Sequence, residues 1–151
     1  MADIVAPNVR SRMMAGIRGT NTKPELILRR GLHALGFRFR LHDSKLPGRP
    51  DIVLPRYRAV IFAHGCFWHG HDCHLFRMPS TRPEFWGAKI IRNRVMDARA
   101  SDALAGLGWR QGVVWECALK GRARLPLENV IGECADWLRS DVPLLEIRGG
   151  G

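Results

Sequence analysis

A mixed β-sheet flanked by helices is the fold class this sequence predicts, and three observations predict it. Short apolar runs and amphipathic helical stretches follow one another in the order α-β-β-β-α-β-α. Two of the apolar runs, "DIVL" and "AVIFA", are separated only by "PRYR", which reads as a hairpin at the centre of the sheet. The 151 residues, 46% of them hydrophobic, suffice for one domain with a real core, and no repeat or long linker divides them.

In chain order, residues 1–22 read as a basic arm in which "RSRMMAGIR" forms a short helix or remains extended. "TNTKPELILRRGLHALG" reads as a helix, with Thr22 as cap, Pro24 and Glu25 in its first turn and Gly36 as its stop. Leu28, Leu32 and Leu35 recur along it at helical spacing. "FRFRL" alternates as a strand with arginines on one face, and "LPGRP" is a turn leading into the hairpin. A helical pattern runs from about Glu84 to Leu107 and stops at Gly108. On it Trp86, Asn93 and Asp97 share a face, since eleven residues make close to three turns. Ile91 and Val95 are expected to point the other way, toward the sheet, while Leu104 falls on the Trp86 face. "WRQGVVWE" is a further strand and "LPLENVIGECADWLR" a last helix. Residues 23–140 form the domain, and 141–151 are expected to be a tail.

The net charge is +10, and eight of those charges lie before residue 65. Arginine dominates, 20 against 4 lysines. Its planar fork grips phosphates bidentately and stacks on bases, so a basic face of this kind suits nucleic acid. A solvated arginine-rich surface is the alternative. No apolar run approaches 18 residues and the sequence shows no basic-then-apolar leader pattern, so a cytoplasmic protein with no membrane contact is expected. Four cysteines in such a chain are expected to be thiols or metal ligands.

"HGCFWHGHDCH", His64–His74, holds four of the six histidines and two of the cysteines. Cys66, His71 and Cys73 are three soft ligands within eight residues and can wrap one zinc ion. A fourth ligand is available from His74 locally or from Cys117 after the "VVWE" strand. Cys134 sits in an amphipathic helix and reads as a buried apolar thiol. His64 and His69 are left over. If "DIVL" and "AVIFA" pair, Asp51 lies beside residues 63–64, and a carboxylate next to a backbone carbonyl is a hard-oxygen site suited to magnesium.

"LPGRPD" (46–51), "VIFAHGCFWHGHDC" (60–73), "TRPEFW" (81–86), "GWR" (108–110) and "VWEC" (114–117) resemble the very-short-patch repair (Vsr) endonucleases. "RSRMMAGIRGTNTKPE" (10–25) resembles their amino-terminal arm. The resemblance implies a restriction-endonuclease-like α/β/α fold with a structural zinc loop. It implies an enzyme that nicks double-stranded DNA beside the T of a T·G mismatch left by 5-methylcytosine deamination. It further implies that Asp51 and the Ala63 carbonyl bind Mg2+ and that His64 and His69 handle protons with support from Glu25 and Asp97. Cys66, His71, Cys73 and Cys117 match the structural zinc ligands, and Phe67, Trp68 and Trp86 match aromatics inserted into the base stack. Residues 1–22 become an arm contacting DNA, 23–140 the endonuclease domain and 141–151 its tail. Implied partners are mismatched duplex, mismatch-repair proteins such as MutL and a cytosine-5 methyltransferase. A nucleoid-associated monomer is expected.

Three departures from the pattern stand out. Phe62, Ala63 and His64 occupy the second strand where the wider superfamily often has a carboxylate and a lysine. Residue 63 is alanine rather than the common threonine, a change that a carbonyl ligand survives. Gly70 cannot contribute a ligand. The rival readings are a non-catalytic zinc-containing DNA-binding module, disfavoured by the presence of Asp51, His64 and His69, and a restriction enzyme that cuts both strands.

Overall fold

The computed structural model describes residues 22–150. The arm at residues 1–21 therefore lies outside the described residues. Helix α1 (Lys23–Ala34) leads to β1 (Arg40–Leu41), β2 (Ile52–Leu54) and β3 (Ala59–His64). Helix α2 (Pro83–Gly106) follows, then β4 (Arg110–Trp115), α3 (Leu127–Leu138) and β5 (Leu144–Ile147). The sheet runs in the order β1-β2-β3-β4-β5, antiparallel across the first three strands and parallel across the last three. The central hairpin is present, with Ile52 opposite Ile61 and Leu54 opposite Ala59.

Alternation along β2 and β3 sorts their side chains onto two faces. Ile52, Leu54, Ala59 and Ile61 join Leu28 and Leu32 of α1 and Val130, Cys134 and Leu138 of α3 in the larger core cluster. Val53 and Val60 face the other way and pack on Leu104 of α2. The result is three layers, α/β/α. Cys134 is inert there, since burial pushes its thiol up to about 12.

Glu25, Leu28 and Leu32 occupy one stripe of α1, so the helix that buries the leucines also buries Glu25. Each buried leucine contributes roughly 1.5–3 kcal/mol, enough to hold a carboxylate at the core's edge that solvation would otherwise pull out. Thr22 stands at the cap position, but its side chain makes no capping bond.

Three expectations change. Ile91 and Val95 do not face the sheet; they are 64% and 44% exposed, while Ile90 and Leu104 are buried. Residues 86, 90, 93, 97 and 104 fall within about 60° of one another at 100° per residue. The Trp86–Asp97 face is therefore the inner one, and Leu104 on it is its anchor. "FRFRL" yields only the two-residue β1, because Phe37 turns into the core and pairs with Tyr57. Leu144–Ile147, expected to lie in a tail, forms β5 parallel to β4. Arg110 of "GWR" is structural: its guanidinium donates to the carbonyls of Tyr57, Trp137, Leu138 and Val142, tying the end of α3 to the sheet.

Candidate active site and metal centre

The loop between β3 and α2 sits against the open end of the central strands. Gly70 makes its approach possible: its φ is +62°, and a Cβ there would lie 2.7 Å from Ile90. Gly48 of the "LPGRP" turn, φ +76°, likewise comes too close to Ala100 of α2 for any side chain. These two turns frame an open cleft of about 800 Å³ lined by Asp51, His64, His69, Asp97, Arg49 and Arg99 among others.

Asp51, just ahead of β2, accepts a hydrogen bond from the Ala63 N–H at 2.7 Å. The hairpin register delivers it beside the end of β3, as the sequence suggests. Burial, with Glu25 nearby, raises its carboxyl to about 7 against the pull of the Ala63 amide and Arg49. Glu25 itself is fully buried, and its Oε2 accepts from Arg29 at 2.8 Å and from His42 at 2.7 Å. Two carboxylates brought this close out of water suit a small divalent cation, which would draw the proton from Asp51. Glu25, His42 and Asp51 offer ligand atoms within 4.8 Å of one another.

The second cluster is His64, His69 and Asp97. His69 Nδ1 lies 2.5 Å from Asp97 Oδ2, so helix α2 holds the loop histidine by its inner nitrogen. The carboxylate can only accept, which puts the proton on Nδ1 and leaves Nε2 basic. The His64 ring stands edge-on to His69 with centroids 3.8 Å apart. His64 is buried and its Nδ1 has no partner among the described residues. Burial, then the neighbouring His69, holds its pKa well below the usual histidine range, so it is neutral.

The third cluster is Cys66, His71, Cys73 and Cys117, and the zinc donor set fits it well. Zn–S of 2.3 Å and Zn–N near 2.05 Å at a tetrahedral angle give an S···N edge of about 3.6 Å. His71 Nδ1 is 3.5 Å from Cys66 Sγ and 3.6 Å from Cys117 Sγ. Burial raises both thiols, so in the absence of a metal they stay protonated, and a cation that takes thiolates relieves that cost. The structure brings Cys117, one of the two candidates the spacing left open, into the cluster as its fourth member. His74 is outside the cluster, its buried Nε2 near Gly121 and without a hydrogen-bond partner among the described residues.

The segment after β5 closes over this centre. Arg148 pairs with Asp72 at 2.9 Å and donates to its backbone carbonyl, while the Gly149 N–H donates to Cys117 Sγ at 3.2 Å. Asp72 Oδ1 in turn lies 3.7 Å from His71 Nε2. Supporting contacts of this kind typically change metal affinity 10–100-fold. Arg148→Ala is expected to release zinc to a competing chelator about tenfold faster, and Cys73→Ser to lose it outright with a lower melting temperature. Cys134→Ser should keep one zinc per chain. Wild-type protein without zinc by metal analysis would contradict the assignment.

Phe67, Trp68 and Trp86 belong to neither core cluster. They are half-buried against one another and Phe76, with ring centroids 5.0–5.9 Å apart. Asn93 of α2 donates to the Trp68 carbonyl at 2.8 Å and fixes that side of the loop. Sequence reasoning missed Trp115 and His42. The Trp115 ring stacks on His71 at 3.9 Å and stands 5.2 Å from His64, so it is the wall between the cysteine–histidine cluster and the histidine pair. "VVWEC" contains that signal, since a strand-end ring beside a ligand must cover it. Nothing in the local sequence marks His42.

A mixed five-stranded sheet between helices, with acidic and histidine side chains gathered where the central strands open, is the architecture of the restriction-endonuclease-like enzymes. The family model described as "DNA mismatch endonuclease Vsr" matches residues 2–75. The DNA mismatch endonuclease Vsr of Escherichia coli K12 is 46% identical over 138 residues, covering 91% of this chain and 88% of that protein. The type II nicking enzyme V.XorIIP of Xanthomonas oryzae pv. oryzae is 47% identical over 133 residues, 87% of this chain and 98% of its own. V.NmeAIP of Neisseria meningitidis serogroup A is 41% identical over 90% of this chain and 99% of its own. The chain belongs to the Vsr DNA mismatch endonuclease family and is a DNA endonuclease. Among the described residues no helix is long and apolar enough to cross a membrane.

Proposed function

We propose that the enzyme nicks one strand of double-stranded DNA beside the T of a T·G mismatch by Mg2+-dependent hydrolysis, with zinc holding the loop that carries the chemistry. One observation carries the reading: a single loop sets His69 against Asp97 in the cleft and Phe67 and Trp68 in an aromatic cluster outside the core. Catalysis and the opening of the base stack are thereby coupled in space. The E. coli relative is named a mismatch endonuclease, which agrees.

Magnesium, when bound, supplies Lewis-acid stabilisation of the charge that develops on the phosphate oxygens. Asp51 and the Ala63 carbonyl are its proposed ligands, and the soft donors Cys66, His71, Cys73 and Cys117 are those of zinc. Arg49 and Arg99 meet the phosphates along the cleft. His69, with Nδ1 held by Asp97, accepts a proton from the attacking water at Nε2. Asp97 then stabilises the imidazolium. The leaving 3′-oxygen takes its proton from water in the open cleft, with His64, neutral in its buried position, relaying that proton rather than supplying it. The products are a 5′-phosphate and a 3′-hydroxyl. Partnership with MutL-type repair proteins and action behind a cytosine-5 methyltransferase follow from the same reading.

Phe67, Trp68 and Trp86 form the wedge. Arginine–phosphate contacts supply affinity without reading bases, and a wedge contributes only where the stack opens cheaply, at a mismatch. Trp68→Ala is expected to lower the ratio of T·G to T·A cleavage by roughly tenfold, the loss of about 1.4 kcal/mol of stacking. The salt dependence of binding should not change. If the ring were merely packing, the melting temperature would fall and both duplexes would be cut equally worse. That pattern would overturn the wedge.

A further inference from the structure

Glu25 and Asp51 come from different elements, and His42 stands between them. Its backbone N–H donates to the Asp51 carbonyl at 3.1 Å, and its Nε2 lies 2.7 Å from Glu25 Oε2. A carboxylate oxygen only accepts, so Nε2 carries the proton in that contact. Its side chain is 14% exposed, and the backbone is left-handed, φ +49°. That conformation is uncommon outside glycine, and it persists where surrounding contacts over-determine it. Here two such contacts are visible, one to each acidic residue.

Arg29 also reaches Glu25 Oε2, but from one turn along the same helix, so that pair fixes the carboxylate relative to α1. His42 fixes it relative to the chain that carries Asp51. We propose that His42 is a positioning residue of the divalent-metal site, holding the Glu25 carboxylate toward Asp51 so that both act on the same ion and its waters. This rests on the reading of Asp51 as a metal ligand. Glu25 and Asp51 sit on separate elements, and thermal motion between α1 and β2 would let their spacing drift. One residue bonded to both, through its ring to Glu25 and through its backbone N–H to the Asp51 main-chain carbonyl, shortens that linkage. In the competing chemistry the imidazole itself ligates the ion through Nδ1 while Nε2–H stays bonded to Glu25, an arrangement that no glutamine or leucine at 42 reproduces.

The full-length zinc-loaded protein is compared with His42→Gln, His42→Asn and His42→Leu. Mn2+ binding without DNA is measured by the paramagnetic resonance of free Mn2+, and nicking of a T·G duplex is followed against Mg2+ concentration. His42→Leu is expected to weaken Mn2+ binding and raise the half-saturating Mg2+ by about tenfold. Excess Mg2+ should recover much of its rate. His42→Gln keeps an N–H donor of similar reach and should stay within about threefold of the wild type on both readouts. His42→Asn, whose donor is too short, should resemble His42→Leu and replaces it if the leucine variant melts below the assay temperature. Wild-type behaviour in His42→Leu or His42→Asn overturns the proposal. A His42→Gln protein as impaired as His42→Leu overturns it too, in favour of direct ligation. Wild-type nicking that needs no divalent metal overturns the Asp51 reading, a result distinct from either.

Discussion

Asp51→Asn is expected to reduce nicking by about 10³-fold or more while leaving DNA binding intact. No other carboxylate lies between Leu46 and His64, so the hairpin offers no substitute. Loss of several kcal/mol of charge stabilisation corresponds to that factor. The same change has an opposite effect on stability. Burial keeps the Asp51 carboxyl protonated up to about 7, whereas in the unfolded chain it ionises near 4. Between those values the folded state binds more protons, so the contribution of this group to stability falls as pH rises through the window. It is lowest above pH 7, where asparagine carries no charge to bury. Without added magnesium, Asp51→Asn should therefore melt a few degrees above the wild type at pH 8, with the gap closing toward pH 5. Added Mg2+ should raise the wild-type melting temperature and leave the variant where it was. Substantial nicking by the pure variant, or a variant less stable than the wild type at pH 8, would contradict this account of Asp51.

Asp97→Asn is expected to lower the cleavage rate by roughly 10²–10⁴-fold, the usual range for general acid–base catalysis, with little change in zinc content or duplex affinity. The reason is the 2.5 Å contact with His69 Nδ1. The amide keeps a neutral partner for the ring but removes the negative charge that stabilises the imidazolium, and it allows the wrong tautomer. Single-turnover cleavage at saturating enzyme isolates the chemical step. A variant within twofold of the wild type would mean that His69 does not carry a proton in the rate-limiting step.

The parts of this molecule written in local sequence were legible there, and those written in tertiary approach were not. The β2–β3 hairpin follows from two apolar runs with a turn between them, and its register alone places Asp51 beside residue 63. The cluster proposed to hold zinc is nearly as legible, because Cys66, His71 and Cys73 share one loop; only the approach of Cys117 needed the fold. Ile91 and Val95 misled because α2 covers the sheet sparsely: Val53 and Val60 meet one buried leucine, and a long polar helix leaves apolar residues on either face. β5 was hidden because an edge strand of four residues, Leu144 largely exposed, carries no alternation strong enough to read. His42 was hidden for a different reason. Its partners lie 17 and 9 positions away, and nothing in "RLHDSK" signals that this turn lies between two acidic residues.

The central claim is that one loop joins strand scission to recognition of a disrupted base step. Two end-labelled duplexes differing in a single T·G or T·A pair test it most directly, each incubated with the zinc-loaded protein and Mg2+ under single-turnover conditions. The expected result is a nick beside the mismatched T in the T-containing strand alone, with the T·A duplex cut at least about tenfold more slowly, as the stacking contribution requires. Equal rates on the two duplexes, or cuts in both strands, would contradict it.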